Sequence, residues 1–231
     1  SWVVGIDGCK AGWIAAGQEV QGGEVCFRVL SYLNELEAAF AGCQLAAIDM
    51  PIGLTEGDRR RADVEARKFI SPRGSSVFNS PPRPLLGEQD YDSAKALCNE
   101  LSGWKPTLQS WGLVPKMREV DAFVEPGEVR ERVWEIHPEV SFRVLLGEGL
   151  IHSKHVPEGL QIRKALLEDP FAGAWEMGRE IIPKRYADDH DLLDALAALW
   201  SAWRILRGEA RFFPERPFEF DACGRRMLIA G

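Results

Sequence analysis

The chain is predicted to be an α/β protein, with a mixed sheet of about five strands flanked by helices and a largely helical insertion. Three observations lead there. Apolar runs of strand length recur at Trp2–Ile6, Leu45–Ile48 and Val133–Ile136. The residues up to Met50 follow the order β-β-β-α-β, with short turn signals between elements. A long apolar helix, Leu192–Leu206, completes the pattern, with Asp191 and Asp194 one turn apart at its start.

Taken in order, Trp2–Gly8, Gly12–Gln18 and Val25–Tyr32 read as three strands, separated by the turn signals Gly8–Lys10 and Gln21-Gly22-Gly23. Asn34–Ala41 is a short amphipathic helix, with Leu36, Ala39 and Phe40 at helical spacing and Gly42 as its stop. Leu45–Met50 is a fourth strand, apolar enough to be buried on both faces. Asp58–Ile70 is a charged helix. The prolines between Ser71 and Pro84 forbid a continuous helix or a central strand there. Tyr91–Leu101 and Trp111–Val124 follow as helices, the second broken near Pro115. Arg132–Ile136 is a fifth strand stopped by Pro138. Ile151–Leu167 holds a linker and a helix from about Leu160, and Asp188–Leu206 is the last long helix. Phe218–Ile229 reads as a terminal hairpin. With 231 residues, 45% of them hydrophobic, the whole chain (1–231) can bury one core, with an insertion at 51–129.

Five scattered cysteines without a CxxC pair imply reduced thiols, as in the cytoplasm, rather than a disulfide framework or a zinc site. No apolar stretch approaches the ~18–20 residues that span a bilayer, so no membrane partner is expected. The opening Ser1-Trp2-Val3 has neither a basic leader nor a cleavable apolar region. A net charge of -7 argues against avid nonspecific nucleic-acid binding by the surface as a whole, while leaving room for a local basic groove. Oligomeric state is not legible.

Five strings in order carry a more specific resemblance. They are Val4-Gly5-Ile6-Asp7-Gly8-Cys9-Lys10-Ala11-Gly12-Trp13, Ile48-Asp49-Met50-Pro51-Ile52-Gly53-Leu54, Ser75-Ser76-Val77-Phe78 with Pro82-Arg83, Glu135-Ile136-His137-Pro138-Glu139, and Asp191-Leu192-Leu193-Asp194-Ala195. Together they resemble the DUF429 family, predicted nucleases of ribonuclease H-like fold. In such a fold the first strand is central and the strand after the first helix lies beside it. That arrangement implies that Asp7 and Asp49 are neighbours, that the last helix brings Asp194 and Asp191 to the same end, and that Glu135 completes or flanks the cluster.

The residues argue for the same chemistry independently. Acids at strand ends are costly near an apolar core unless something positive compensates them, and divalent metals do so through oxygen ligands. Two hard cations ~3.5–4 Å apart can neutralise a scissile phosphate and generate hydroxide. Asp7, Asp49, Glu135 and Asp194 are the candidate catalytic acids; Asp7, Asp49, Asp191 and Asp194 are the candidate ligands for Mg²⁺ or Mn²⁺. Each has a plainer alternative: a turn acid for Asp7 and Asp49, a first-turn helix acid for Asp191, an exposed edge-strand residue for Glu135. Candidate substrate contacts are Lys10, Arg73, Ser75, Ser76, Arg83 and His137, the last also a possible proton shuttle. Trp104 and Trp111 are the better candidates for base stacking. A metal-dependent nuclease or related phosphohydrolase acting on nucleic acid or nucleotides is the leading expectation. A non-catalytic nucleic-acid or nucleotide binding module is the alternative. An ATP-using relative of the actin and sugar-kinase group is disfavoured by chain length and by the lack of a GxxxxGK[ST] loop.

Overall fold

The computed structural model describes residues 1–149 and 152–231. Its main sheet is made of β1 (Trp2–Cys9), β2 (Gly12–Glu19), β3 (Cys26–Leu30), β4 (Cys43–Ile48) and β5 (Val133–Glu135), with the short helix α1 (Leu36–Ala39) leading into β4. The order is β3-β2-β1-β4-β5. β1 to β3 form an antiparallel meander, while β4 and β5 add in parallel on the other side of β1. This mixed sheet is the predicted fold class, and its order is consistent with the ribonuclease H-like expectation.

The remaining helices are α2 (Arg61–Phe69), α3 (Tyr91–Ser102), α4 (Leu108–Gly112), α5 (Val114–Phe123), α6 (Gly127–Arg132), α7 (Pro138–Leu146), α8 (Pro157–Glu168), α9 (Ala174–Ile181) and α10 (Asp189–Arg207). A two-stranded ribbon pairs β6 (Phe212–Phe213) with β7 (Ile229–Ala230). No helix among the described residues is long and apolar enough to cross a membrane.

Strand alternation decides which side chains meet which helix layer. Val3, Ile14, Leu45 and Ala47 pack with the apolar side of α10. Val4, Ile6, Ala46 and Ile48 face the opposite layer, where Leu36 of α1 and Val114, Met117 and Val120 of α5 cover them. Leu192, Leu193, Leu196 and Leu199 of α10 are fully buried, each worth about 1.5–3 kcal/mol in burial. The helix lies directly on β1: a Cβ on Gly5 would meet the backbone N of Leu199 at 2.0 Å and the carbonyl O of Ala195 at 2.3 Å. Glycine is what permits this approach. By the same alternation Asp7 faces α10, as does Asp49 through the parity of Leu45 and Ala47. Glu135 shares the parity of Val133, which faces the other layer.

Several boundaries differ from those predicted. α2 starts at Arg61 rather than Asp58, because Arg60 is extended (φ -64°, ψ 134°) with its side chain in buried ion pairs. Pro138, read only as a strand stop, is also the start of α7, with His137 as N-cap; proline is well suited to a first turn, where its missing N–H is not needed. Pro157 starts α8 earlier than Leu160 for the same reason. α6 and α9 have too few buried positions to announce themselves, with only Ala174 and Gly178 buried in α9. The break near Pro115 falls at Leu113, so that the proline sits in the first turn of α5. The expected hairpin at Phe218–Ile229 is reduced to the single bridge Phe220–Arg226, while the partner of Ile229–Ala230 is Phe212–Phe213. Ile151, the first residue of the expected linker, lies outside the described residues.

Candidate functional site

A cleft of about 670 Å³ opens at the C-terminal ends of β1 and β4. Its floor is acidic. Asp7 ends the inward-facing series of β1 and is 8% exposed. Asp49 follows β4, and its N–H still donates to the carbonyl of Ile6 at 2.9 Å, which holds it beside β1. Asp194, 1% exposed, precedes the Ala195–Leu199 stretch that rests on Gly5, and Asp191 lies one turn earlier. All four line the cleft.

Their electrostatics follow from this crowding. Burial, reinforced by the neighbouring Asp194 and Asp49 carboxylates, pushes Asp7 well above the usual carboxylate range. Burial is also the main cause that lifts Asp49 to about 6; Asp194 adds to it, and His137 and Lys154 oppose it. Asp191 is raised by burial, partly offset by the backbone N–H of Asp188, which donates to Asp191 Oδ2 at 2.7 Å. Asp191 thus spends one oxygen on capping α10, its plainer sequence reading. Because the folded state holds these protons more tightly than the unfolded chain does, stability is fully present below pH ~4 and is lost as pH rises through about 6. Urea unfolding of chelator-treated protein should therefore give a free energy that falls between pH 4 and pH 6.5. A free energy that rose across that interval would mean that the fold does not raise the proton affinity of these acids.

One cation reaches the floor. Lys154 donates from Nζ to Asp194 Oδ2 and forms an ion pair with it. Asp7 and Asp49 lie within electrostatic reach of the same ammonium, and the three acids together raise its pKa against the effect of burial. Asp194 Oδ1 is buried without a hydrogen-bond partner among the described residues. The loop carrying Lys154 hangs from Arg163, which is completely buried: its Nη1 donates to the carbonyl of His152 at 3.0 Å, while Nη2 grips Glu139 at 2.8 and 2.7 Å. Nothing in the sequence flags Lys154, which lies in an irregular stretch far from every acid it serves.

Glu135 lines the same cleft at its flank, with its carboxylate held by Arg60. Arg60 Nη2 and Nη1 donate to its two oxygens at 2.5 and 2.8 Å, and the Ile52 N–H donates at 2.9 Å. Arg60 also pairs with Asp63 at 2.6 Å, and Asp63 accepts from the Ser80 N–H at 2.7 Å. Alternation explains this, since Glu135 faces the layer away from α10. Arg83 is likewise committed, to Asp121 at 2.9 Å and Asp221 at 2.5 Å, and does not line the cleft. Lys10 pairs on the surface with Asp188 at 2.7 Å.

The expected phosphate wall is partly assembled. Arg73, Ser75, Ser76 and His137 line the cleft, as does Lys116. The Arg73 side chain makes no ion pair or hydrogen bond among the described residues, and its Nε is buried without a partner. Lys116 donates to the carbonyl of Gly12 and lies 4.2 Å from the Trp13 ring centroid. Both nitrogens of His137 are occupied: Nδ1 accepts from the Glu139 N–H at 3.2 Å and Nε2 lies 3.1 Å from the carbonyl of Ser76. It therefore holds the Ser76 turn rather than standing ready as a shuttle. Trp104 and Trp111 are not among the residues that line the cleft and pack on the Leu85–Ala94–Cys98 cluster. Trp104 donates to the carbonyl of Gly57 at 2.9 Å.

The donor set suits a hard cation in kind: all-carboxylate, negatively charged beyond what Lys154 neutralises, with one oxygen unpartnered. Yet among the described residues no three His, Cys, Asp or Glu side chains stand close enough to hold an ion together as they are, and the Lys154 ammonium serves as counter-cation instead. No curated protein and no solved structure matches the chain significantly. The family model described as "Protein of unknown function (DUF429)" matches residues 5–219. With all four floor acids and most of the chain inside that span, the chain belongs to the DUF429 family.

Proposed function

We propose that the chain is a divalent-metal-dependent nuclease or related phosphohydrolase, with Asp7, Asp49 and Asp194 as the metal-binding acids and Asp191 at their rim. The supporting observation is that acids from two adjacent parallel strands and from the helix crossing them share one cleft, repel one another, and leave Asp194 Oδ1 unpartnered. Mg²⁺ or Mn²⁺ bound there would supply charge neutralisation at a phosphate and an acidified water. The chain's own part is positional. Arg73 offers a guanidinium free of other described partners, and the Ser75 and Ser76 hydroxyls offer further donors on the same wall. Asp7 and Asp49 hold their protons more tightly than ordinary carboxylates, so cation binding should weaken as pH falls. The free thiols of all five cysteines support action in a reducing, cytoplasmic setting.

The test is a panel of single- and double-stranded DNA and RNA and dinucleotides, incubated with Mg²⁺ or Mn²⁺ and again with chelator. Metal-dependent cleavage of at least one member is expected. A metal-loaded protein that bound a substrate but cleaved none would favour the second reading, a nucleotide or nucleic-acid binding module. That reading draws its support from Lys154, which already neutralises part of the floor without any metal.

A further inference from the structure

We infer that Lys154 is a tethered cation holding the place of a divalent ion, so that a metal enters the carboxylate floor by displacing its ammonium. The inference rests on the reading of these acids as a metal site, and it adds an exchange step that the reading does not require. It begins with Asp194. One of its oxygens accepts from Lys154, while Oδ1, on a side chain 1% exposed and lining the cleft, accepts from nothing. A buried carboxylate oxygen left without a donor is costly. Lys154 is an incomplete answer to that cost, since an ammonium carries one charge against four floor acids. A hard divalent cation carries twice the charge and takes about six oxygens at close range.

The mounting of the two partners differs in the way an exchange needs. Asp194 is fixed by α10, whose backbone rests against Gly5. Lys154 sits between Arg163's anchor on the His152 carbonyl and the start of α8 at Pro157, with its side chain 28% exposed. Its base is therefore held while four methylenes leave the ammonium free to swing. Because two cations on one carboxylate repel, the ammonium and a metal compete for this floor, each weakening the other's hold.

The experiment is Mn²⁺ binding, read from the free-ion electron paramagnetic resonance signal, on the full chain and its Lys154→Met, Lys154→Gln and Lys154→Arg variants. Fold is checked by circular dichroism. Lys154→Met and Lys154→Gln should bind Mn²⁺ about tenfold more tightly or better, and Lys154→Arg, which keeps the charge, should stay within about threefold of the parent. Equal or weaker binding by both neutral variants would overturn the inference, as would an arginine variant binding as tightly as the methionine one. Hydrolysis is measured in parallel. A parent chain that binds Mn²⁺ and cleaves substrate, with no gain in the neutral variants, would sink the exchange and leave the nuclease reading intact. A gain in the neutral variants without cleavage by any form would support the exchange and sink the nuclease.

Discussion

Replacing Arg60 with methionine should destabilise the protein by about 3–5 kcal/mol, because it strands two buried carboxylates without their cation. Arg60 and Asp63 are each 1% exposed and Glu135 is 4% exposed. Methionine keeps much of the length and apolar contact of the arginine, so the loss reports charge and hydrogen bonding. Asp63 and Glu135 would keep only the Ser80 and Ile52 N–H groups. Urea unfolding at pH 7 should show a lower midpoint with an unchanged slope. Adding Asp63→Asn and Glu135→Gln should recover much of the loss, since neutral amides tolerate burial without a cation. A cost below about 1 kcal/mol for Arg60→Met would mean that water reaches this network.

Asp7→Asn should act in the opposite way, cutting metal-dependent hydrolysis by about two orders of magnitude or more while leaving the fold at least as stable. The amide has nearly the same shape, and it removes a buried charge that Asp194 and Asp49 oppose. In chelator above pH 6 the variant should melt higher than the parent; with Mn²⁺ the parent should regain ground through binding. Retention of full hydrolysis by Asp7→Asn would show the assigned floor to be the wrong place. The contrast with Arg60→Met is informative because both residues line one cleft. One change should cost stability, the other turnover.

The sheet was legible because its strands are apolar, short and separated by strong turn signals, from Trp2 to Ile48. The resemblance to a ribonuclease H-like sheet implied that Asp7 and Asp49 are neighbours and that the last helix brings Asp194 to the same end, and all three line one cleft. The remainder was hidden for identifiable reasons. Glu135 sits in a strand of three residues, too short for its alternation to be read with assurance. Pro138 and Pro157 carry two meanings, as stops for one element and starts for the next. Arg83 had the right chemistry for phosphate, but its partner Asp221 comes from a turn 138 residues later, which no local pattern reveals. Lys154 was invisible for the same reason.

The segment from Glu135 to Glu139 acquires a meaning that no single contact conveys. Its three polar side chains fasten three separate strips of chain: Glu135 takes the stretch around Ile52 and Arg60, His137 the Ser76 turn, and Glu139 the Arg163-anchored loop of Lys154. These strips surround the acidic floor, so a span of five residues gauges the aperture of the cleft. Lengthening it by one residue would leave every floor acid in sequence yet shift at least one wall relative to the others. The string that most resembles a catalytic signature thus behaves as a calliper, setting what width of ligand the acids are allowed to meet.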